Sequence, residues 1–195
     1  AAFAYREEIR DKMRLQLQIP QDAFVIGHVG RFGHMKNHTF LVDVFEQVIK
    51  KLPSSMLLLV GEGGLQDMIK EKAAALGLAD KVIFTGNQAD VSDYYQAMDF
   101  FVFPSVFEGL PGTVIEAQAS GLRCLVSDSV TPEVLITELA QAEPLSLGAG
   151  AWAANVLERK EYVRNQMTQA IKAAGFDVSD QVKMLEKIYL QENCQ

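Results

Sequence analysis

Short apolar runs alternate with segments of helical periodicity along most of the chain, and this alternation limits the fold more than any other feature. Five runs are typical of buried strands: FVIGHVG from Phe24, MLLLVG from Met56, VIFTG from Val82, FFVFPS from Phe100 and CLVSD from Cys124. Strands that are apolar on both faces and separated by helices form a parallel sheet covered on each side. The sequence therefore predicts an α/β fold, a doubly wound parallel sheet of the Rossmann-like kind.

Helices are predicted between and after these strands from the spacing of apolar residues and from the residues that end helices. A weak sixth strand is predicted at PLSL, residues 144–147. We divide the chain into a linker helix over 1–20, a ligand-binding Rossmann-like domain over 21–175, and a C-terminal helix over 176–195. The predicted helical ranges are 5–17, 37–52, 65–76, 89–98, 113–120, 151–174 (allowing breaks) and 178–191.

Composition narrows the class of partner. The net charge of -7 argues against nucleic acid, because binding to a phosphate backbone requires a basic face.

Cys124 and Cys194 lack ligand-spaced neighbours, which predicts reduced thiols in a cytoplasmic protein and no metal site. No apolar stretch approaches the ~18 residues of a membrane span. The opening residues 1–4 (AAFA) are an unusual start, so we expect the chain to be cut from a longer protein.

Two loops that follow strands carry charge or glycine. In GRFGHMKNH, Arg31 follows the first strand and Lys36 precedes a helix, and two cations there suit a diphosphate, although both could be solvated loop residues. The loop GEGG, residues 61–64, lacks the dinucleotide fingerprint because Gln66 stands where a glycine would be required. It is equally consistent with a ligand-approaching turn and with a purely structural one. His28 is interpreted as a core residue with a hydrogen-bonded ring.

The most informative loop is FPSVFEGLPGTVIEAQASG, in which Glu108 and Glu116 flank a Gly-Leu-Pro-Gly turn that leads into a helix. The turn leaves backbone N–H groups free to face an anion, and the helix start adds its dipole. The two carboxylates could hold hydroxyls of two different sugars. Paired glutamates would also suit glycoside hydrolysis, but Arg31 and Lys36 favour a phosphate-bearing ligand. Locally, both glutamates could also be ordinary loop and helix charges.

Four segments in order along the chain carry a family resemblance: VGRFGHMKN, LLLVGEGG, VIFTGNQAD and FPSVFEGLPGTVIEAQASG, the last with an E-x7-E pattern. The chain resembles the C-terminal, donor-binding domain of the family 4 retaining glycosyltransferases, which have the GT-B fold. It looks closest to bacterial enzymes that build capsular or exported polysaccharide. It departs from many relatives at Asn37, where they have glycine, and at residues 129–132 (SVTP), where a glycine-rich stretch is common.

The resemblance implies a role for each matched residue. Arg31 and Lys36 would bind the donor diphosphate and stabilise it as a leaving group, and Glu108 would approach the transferred sugar; these three form the predicted catalytic set. Glu116 would hold the ribose hydroxyls. Further donor contacts are implied for Gly30, Gly109, Leu110, Pro111, Gly112, Thr113 and Val114, and Asn87 and Gln88 would lie near the base.

The implied activity is sugar transfer from a nucleotide-diphosphate-sugar, with UDP expected, to a glycan or lipid-linked acceptor. Configuration would be retained and no metal would be obligatory. The chain would supply the donor-binding half and would be inactive alone, because the N-terminal acceptor-binding domain is missing. Peripheral association of the full-length enzyme with the inner membrane face is a further expectation. Two alternatives stay open, a nucleotide-sugar epimerase of the GT-B type and a non-catalytic nucleotide-sugar-binding module.

Overall fold

A six-stranded parallel sheet forms the centre of the computed structural model, which describes residues 2–192. The strand order is β3-β2-β1-β4-β5-β6. The fold class is thereby confirmed, and the five strands predicted from apolar runs are present. The strands are β1 (Val25–Val29), β2 (Met56–Val60), β3 (Val82–Phe84), β4 (Phe100–Phe103), β5 (Arg123–Ser127) and β6 (Ala140–Glu143).

The sixth strand lies just before the predicted position. PLSL, residues 144–147, instead forms a turn of 3-10 helix at Leu145–Leu147. Pro144 has no N–H and cannot donate to a ladder, so the strand ends ahead of it. The residues of β6 are partly or fully exposed at the sheet edge and need no continuous apolar run, which is why the pattern pointed four residues too far along.

Helices cover both faces of the sheet, as expected for a doubly wound fold. They are α1 (Glu7–Gln16), α2 (His38–Ile49), α3 (Gln66–Ala75), α4 (Ser92–Ala97), α5 (Gly112–Ala119), α6 (Gly148–Glu158), α7 (Thr168–Ala173) and α8 (Val178–Glu192). One core cluster joins α1, α4 and α5 to one face, and the other joins α2, α3 and α6 to the opposite face. Alternate residues of β1 to β5 enter the two clusters, so these strands are largely apolar on both faces.

The range 151–174 is not one helix. Residues 159–167 run without helical structure between α6 and α7. Their side chains are used as hydrogen-bond donors to backbone carbonyls instead: Arg164 reaches Tyr95, Met98 and Ser120, and the Tyr162 hydroxyl lies 3.1 Å from Gly121 O. These long-range contacts hold the segment against the ends of α4 and α5, which a continuous helix would not allow.

Helix α1, within the predicted linker, packs onto the domain through a fully buried arginine. The Arg14 guanidinium lies 2.6 Å from Asp99 Oδ2 and donates to Ala97 O and Ala23 O at 3.0 and 2.8 Å. Carboxylate and carbonyl oxygens together compensate the buried charge. That residues 1–20 connect to a further domain stays a prediction.

At the other end of the chain, α8 exposes the described side chains of residues 180–190. Within residues 2–192, no helix combines the length and the apolar character that crossing a membrane requires. Cys124 is a buried free thiol of β5, and burial raises its pKa well above the ordinary range. Cys194, the other cysteine singled out from the sequence, lies outside the described residues.

Candidate active site

The centre of the sheet is the place where the chain reverses its winding direction. From β1 the chain crosses to β2 on one side, and from β4 it crosses to β5 on the other. In open parallel sheets, the loops at the carboxyl ends of two such strands diverge and leave a crevice between them. The loop after β1 carries Arg31 and Lys36, and the loop after β4 carries Glu108, so the structure brings the predicted charged loops to this crevice.

Lys36 and Glu108 form an ion pair across the crevice. The Lys36 ammonium lies 2.8 Å from Glu108 Oε1, and the two side chains are 19% and 22% exposed. The ammonium also lies 4.5 Å from the centroid of the Phe103 ring, close enough for a cation–π contact. A backbone hydrogen bond of 2.9 Å from Val106 N to Met35 O joins the same two loops. The cation and the carboxylate therefore neutralise each other.

Arg31 is exposed and forms no ion pair with any other residue in the range 2–192. It lines a cavity of about 630 Å³ at the carboxyl ends of β1 and β2. Three further predicted donor-site residues line the same cavity: Gly30, Asn87 and Gln88. The Gln88 side chain donates to Thr85 O at 2.7 Å, which fixes it within the loop after β3. A free guanidinium beside loop backbone and amide side chains is an arrangement that suits an anionic ligand.

The GEGG loop proves to be tightly packed against the cationic loop. A Cβ added at Gly61 would lie 2.3 Å from Gly30 O, and one at Gly63 would lie 2.4 Å from Phe32 O. Phe32 N also donates to Glu62 O at 3.0 Å. These close backbone approaches explain two of the glycines by packing, although Gly61 and Gly63 also line the cavity.

Glu116 is held by a tyrosine that the sequence patterns did not single out. The Tyr95 hydroxyl lies 2.9 Å from Glu116 Oε2 and 3.1 Å from Thr113 O. Burial, with the nearby Glu116 carboxylate, raises the pKa of Tyr95 well above its ordinary value, so it is a neutral hydrogen-bond donor. Tyr95 belongs to α4, and a pattern of polar residues along that short helix could not show which one faces Glu116.

The cavity beside Arg31 and the surroundings of Glu116 are distinct. Glu116 lines a second, more apolar cavity of about 430 Å³ together with Gly112. In the turn before α5, Gly109 and Leu110 are exposed and Pro111 is buried; in the first turn of α5, Gly112 is exposed, Thr113 is half-buried and Val114 is buried. Val114 packs its side chain in the core and its N–H donates to Pro111 O at 3.1 Å, so that N–H is used within the turn.

The two departures from the resembled family have structural explanations. Asn37 adopts a left-handed conformation with φ of 54°, which asparagine tolerates better than most residues that carry a Cβ. It can therefore occupy a position where glycine is common. In the segment 129–132, Val130 is buried and pairs with Glu108 as an isolated parallel bridge. This segment thus supports the backbone of the Glu108 loop.

Comparison with known proteins decides the family. The sequence profile of the family described as "Glycosyl transferases group 1" matches residues 9–174. The chain belongs to this family. Among curated relatives of this glycosyl transferase domain, EpsF of Bacillus subtilis (strain 168), named as a glycosyltransferase, is 34% identical over 195 residues. That alignment covers 96% of the chain and 50% of EpsF, so the chain spans about half the length of this relative.

Solved structures show the same fold for this glycosyl transferase group 1 domain. Anabaena HepE, crystallised in complex with UDP and glucose, superposes with a TM-score of 0.79 at 22% identity. The match covers 96% of the chain and 53% of HepE. The C-terminal domain of a group 1 family protein (LpcC) from Francisella tularensis superposes with a TM-score of 0.75 at 20% identity, covering 91% of the chain and 97% of that domain. The domain is thus of the GT-B C-terminal type.

Two buried histidines lie beneath the cationic loop of the glycosyl transferase domain. His28 is fully buried in β1, and its Nδ1 lies 2.9 Å from Val102 O, which confirms the expected hydrogen-bonded core histidine. His38 begins α2, stacks on Phe32 at 4.1 Å and meets the His28 ring edge-on at 4.7 Å. Burial, and then the charge of Lys36, lowers the pKa of His38 from 6.5 to about 4. Burial, and then the neighbouring His38, lowers the pKa of His28 well below its ordinary value.

Within residues 2–192, no group of three or more His, Cys, Asp or Glu side chains is arranged to hold a metal ion. Metal-independent chemistry stays a prediction.

Proposed function

We propose that this chain is the donor-binding half of a retaining glycosyltransferase. The full enzyme transfers a sugar from a nucleotide-diphosphate-sugar to a glycan or lipid-linked acceptor in the synthesis of bacterial polysaccharide. Membership of the glycosyl transferase group 1 family and the naming of EpsF support the reaction class. The UDP and glucose in the HepE crystal support a uridine nucleotide as the first ligand to test.

The observation that carries the proposal is the crevice between the loops after β1 and β4. It presents one unpaired guanidinium, that of Arg31, and one ammonium, that of Lys36, at the carboxyl edge of the sheet. A diphosphate placed there would meet both cations. Electrostatic stabilisation of this kind acts where charge develops in the transition state.

We assign the roles of the site residues by where charge develops during transfer. During transfer, the bond between the anomeric carbon and the diphosphate oxygen breaks, and a bond to an acceptor oxygen forms on the same face of the sugar. The acceptor hydroxyl gives up its proton to the departing diphosphate. Negative charge collects on the departing diphosphate, beside Arg31 and Lys36. Glu108, now released from Lys36, accepts hydrogen bonds from hydroxyls of the transferred sugar, and Glu116, oriented by Tyr95, accepts them from the ribose. Asn87 and Gln88 line the same cavity as Arg31, and in this proposal they lie near the base.

The acceptor site belongs to a second domain in this proposal. The chain spans about half the length of EpsF and of HepE. Residues 1–20 link the two domains and residues 21–175 bind the donor, and the chain continues into helix α8 (Val178–Glu192). The isolated chain then binds donor but turns over negligibly, and the full-length enzyme works in the cytoplasm at the inner face of the membrane, where a lipid-linked acceptor would be found.

Calorimetric titration with UDP, GDP and ADP tests the proposal, each with Mg²⁺ and with EDTA. We expect one nucleoside diphosphate to bind, equally well in both buffers. Arg31→Ala and Glu116→Gln should each weaken binding by ~1–3 kcal/mol, because each removes a charged hydrogen-bond partner. The glutamine keeps an acceptor for the Tyr95 hydroxyl, so the fold around it is preserved.

Lys51→Ala is the matched control. Lys51 is an exposed cation that follows α2, at the opposite edge of the sheet from Arg31. It should leave binding unchanged. A folded wild-type chain that binds none of the three nucleotides, or an Arg31→Ala variant that binds as well as Lys51→Ala does, would contradict the assigned site.

A further inference from the structure

The two central strands part before they end. β1 and β4 are in register only at Ile26 with Phe100 and at Gly27 with Phe101. Each strand continues for two more residues, which pair only with the outer neighbouring strand. The last two residues of β1 pair with β2, and the last two residues of β4 pair with β5. The sheet is therefore split at its centre over the last two residues of each strand, directly below the crevice assigned to the donor.

His28 spans this split. Its Nδ1 lies 2.9 Å from Val102 O, so the imidazole joins β1 to β4 beyond the end of their backbone ladder. A carbonyl oxygen only accepts, so Nδ1 carries the proton and donates it, and Nε2 of the neutral ring holds a lone pair. The ring is also clamped by aromatic contacts, stacked at 5.4 Å on Phe103 and edge-on at 4.7 Å to His38.

The other edge of the imidazole touches the start of the cationic loop. A Cβ added at Gly30 would lie 3.0 Å from His28 Nε2 and 3.2 Å from Lys36 Cε. The ring, the backbone of Gly30 and the Lys36 stem thus meet at one point. His28 Nε2 has no hydrogen-bond partner among residues 2–192, so the Nδ1 donation to Val102 O is the polar contact that fixes the ring.

We propose that His28 is a positioning residue of the donor site. Its hydrogen bond across the split sets the separation between the loop that carries Arg31 and Lys36 and the loop that carries Glu108. At the rim, the same separation is set by Val106 N donating to Met35 O and by the Lys36–Glu108 ion pair. His28 is the only one of these links that lies at the base, between the strands themselves. The inference rests on the proposed function of the crevice.

A residue chosen only to fill the core would not need a donor at this position. Phenylalanine would keep the stack on Phe103 but could not donate to Val102 O. Without that bond, the carbonyl loses its partner across the split and the two loops are free to shift relative to each other. Asparagine is smaller, but its side-chain amide places an N–H close to where Nδ1 stands.

Three variants separate positioning from packing: His28→Phe, His28→Asn and, as the matched control, His38→Phe. His38 is also buried, beside His28, and makes no hydrogen bond through either ring nitrogen within the described part of the chain. Each variant is titrated with the nucleoside diphosphate that the wild-type chain binds, and its folding is checked by thermal unfolding. If His28→Phe does not fold, His28→Leu takes its place.

We expect His28→Phe to bind the nucleotide at least fivefold more weakly, and His28→Asn and His38→Phe to stay within twofold of wild type. In ¹⁵N–¹H spectra, the wild-type ring should show a slowly exchanging Nδ1–H signal that shifts when nucleotide is added. Unweakened binding by His28→Phe would overturn the positioning role alone, and so would an asparagine variant as weak as phenylalanine. Absence of nucleotide binding by the wild-type chain would instead overturn the proposed function, and the positioning role with it.

Discussion

Mild acid should destabilise this domain through two histidines. The chain has three histidines, of which His28 and His38 are buried and His34 is exposed. Burial lowers the pKa of both buried rings below the ordinary value of 6.5, to about 4 for His38. At a pH between the folded and the unfolded pKa values, these histidines bind protons in the unfolded chain but not in the folded chain. Stability is therefore complete above pH 6.5 and falls as the pH drops towards 4.

The size of the effect follows from the shift. One pKa unit corresponds to about 1.4 kcal/mol, so His38 alone should lower the free energy of unfolding by about 2 kcal/mol between pH 7 and pH 5. Burial lowers the pKa of His28 in the same direction, so the loss for the wild-type chain should exceed that of His38 alone. Ordinary carboxylates titrate below this window and contribute little to it.

Urea unfolding at pH 7, 6 and 5 measures the loss, with the fluorescence of the single, buried Trp152 as the signal. His38→Phe keeps an aromatic ring against Phe32 and should reduce the pH-dependent loss by about 2 kcal/mol. His34→Phe, at the exposed position, should leave it unchanged. A wild-type loss below about 1 kcal/mol, or a loss in His38→Phe as large as in wild type, would show that the buried rings are not neutral as inferred.

Two further predictions concern ion pairs. Glu108→Gln frees Lys36 from its ion pair, so a nucleoside diphosphate should bind about two- to fivefold tighter in calorimetry. That ratio corresponds to the free energy of a partly exposed ion pair. Weaker binding by the variant would mean that the ion pair does not compete with the ligand. Asp99→Ala removes the carboxylate partner of the buried Arg14 and should cost about 3–5 kcal/mol in urea unfolding. Asp93→Ala, at a partly exposed ion pair, should cost less than about 1 kcal/mol. Equal costs for the two would refute the burial argument.

The central strands were predictable because each is buried on both faces, and continuous apolar runs such as MLLLV leave little alternative. The edge strand β6 was not, since an exposed edge imposes no apolar pattern. The break at 159–167 was not predictable for a different reason. The side chains of Arg164 and Tyr162 donate to backbone carbonyl oxygens far away in the sequence, which keeps their segment out of a helix. A local periodicity carries no information about such partners.

For the candidate site, the sequence identified the charged residues but not their partners. Arg31, Lys36 and Glu108 stand in motifs at strand ends, where chain order alone places them at one edge of the sheet. Which of them pair depends on the register of β1 against β4 and on the path of two loops. The same holds for Tyr95 beneath Glu116, a contact between two helices that are separate in the sequence.

The pairing of Lys36 with Glu108 bears on how such a crevice would bind a donor. An unliganded site with two free cations would attract any anion of suitable size. Here one cation is already neutralised, and Arg31 alone is free to make the first contact. A ligand that brings only phosphate must displace Glu108 from Lys36 and leaves that carboxylate without a partner. A ligand that brings both a diphosphate and sugar hydroxyls satisfies Lys36 and Glu108 together, so in this proposal the ion pair favours an intact nucleotide-sugar over its separate parts.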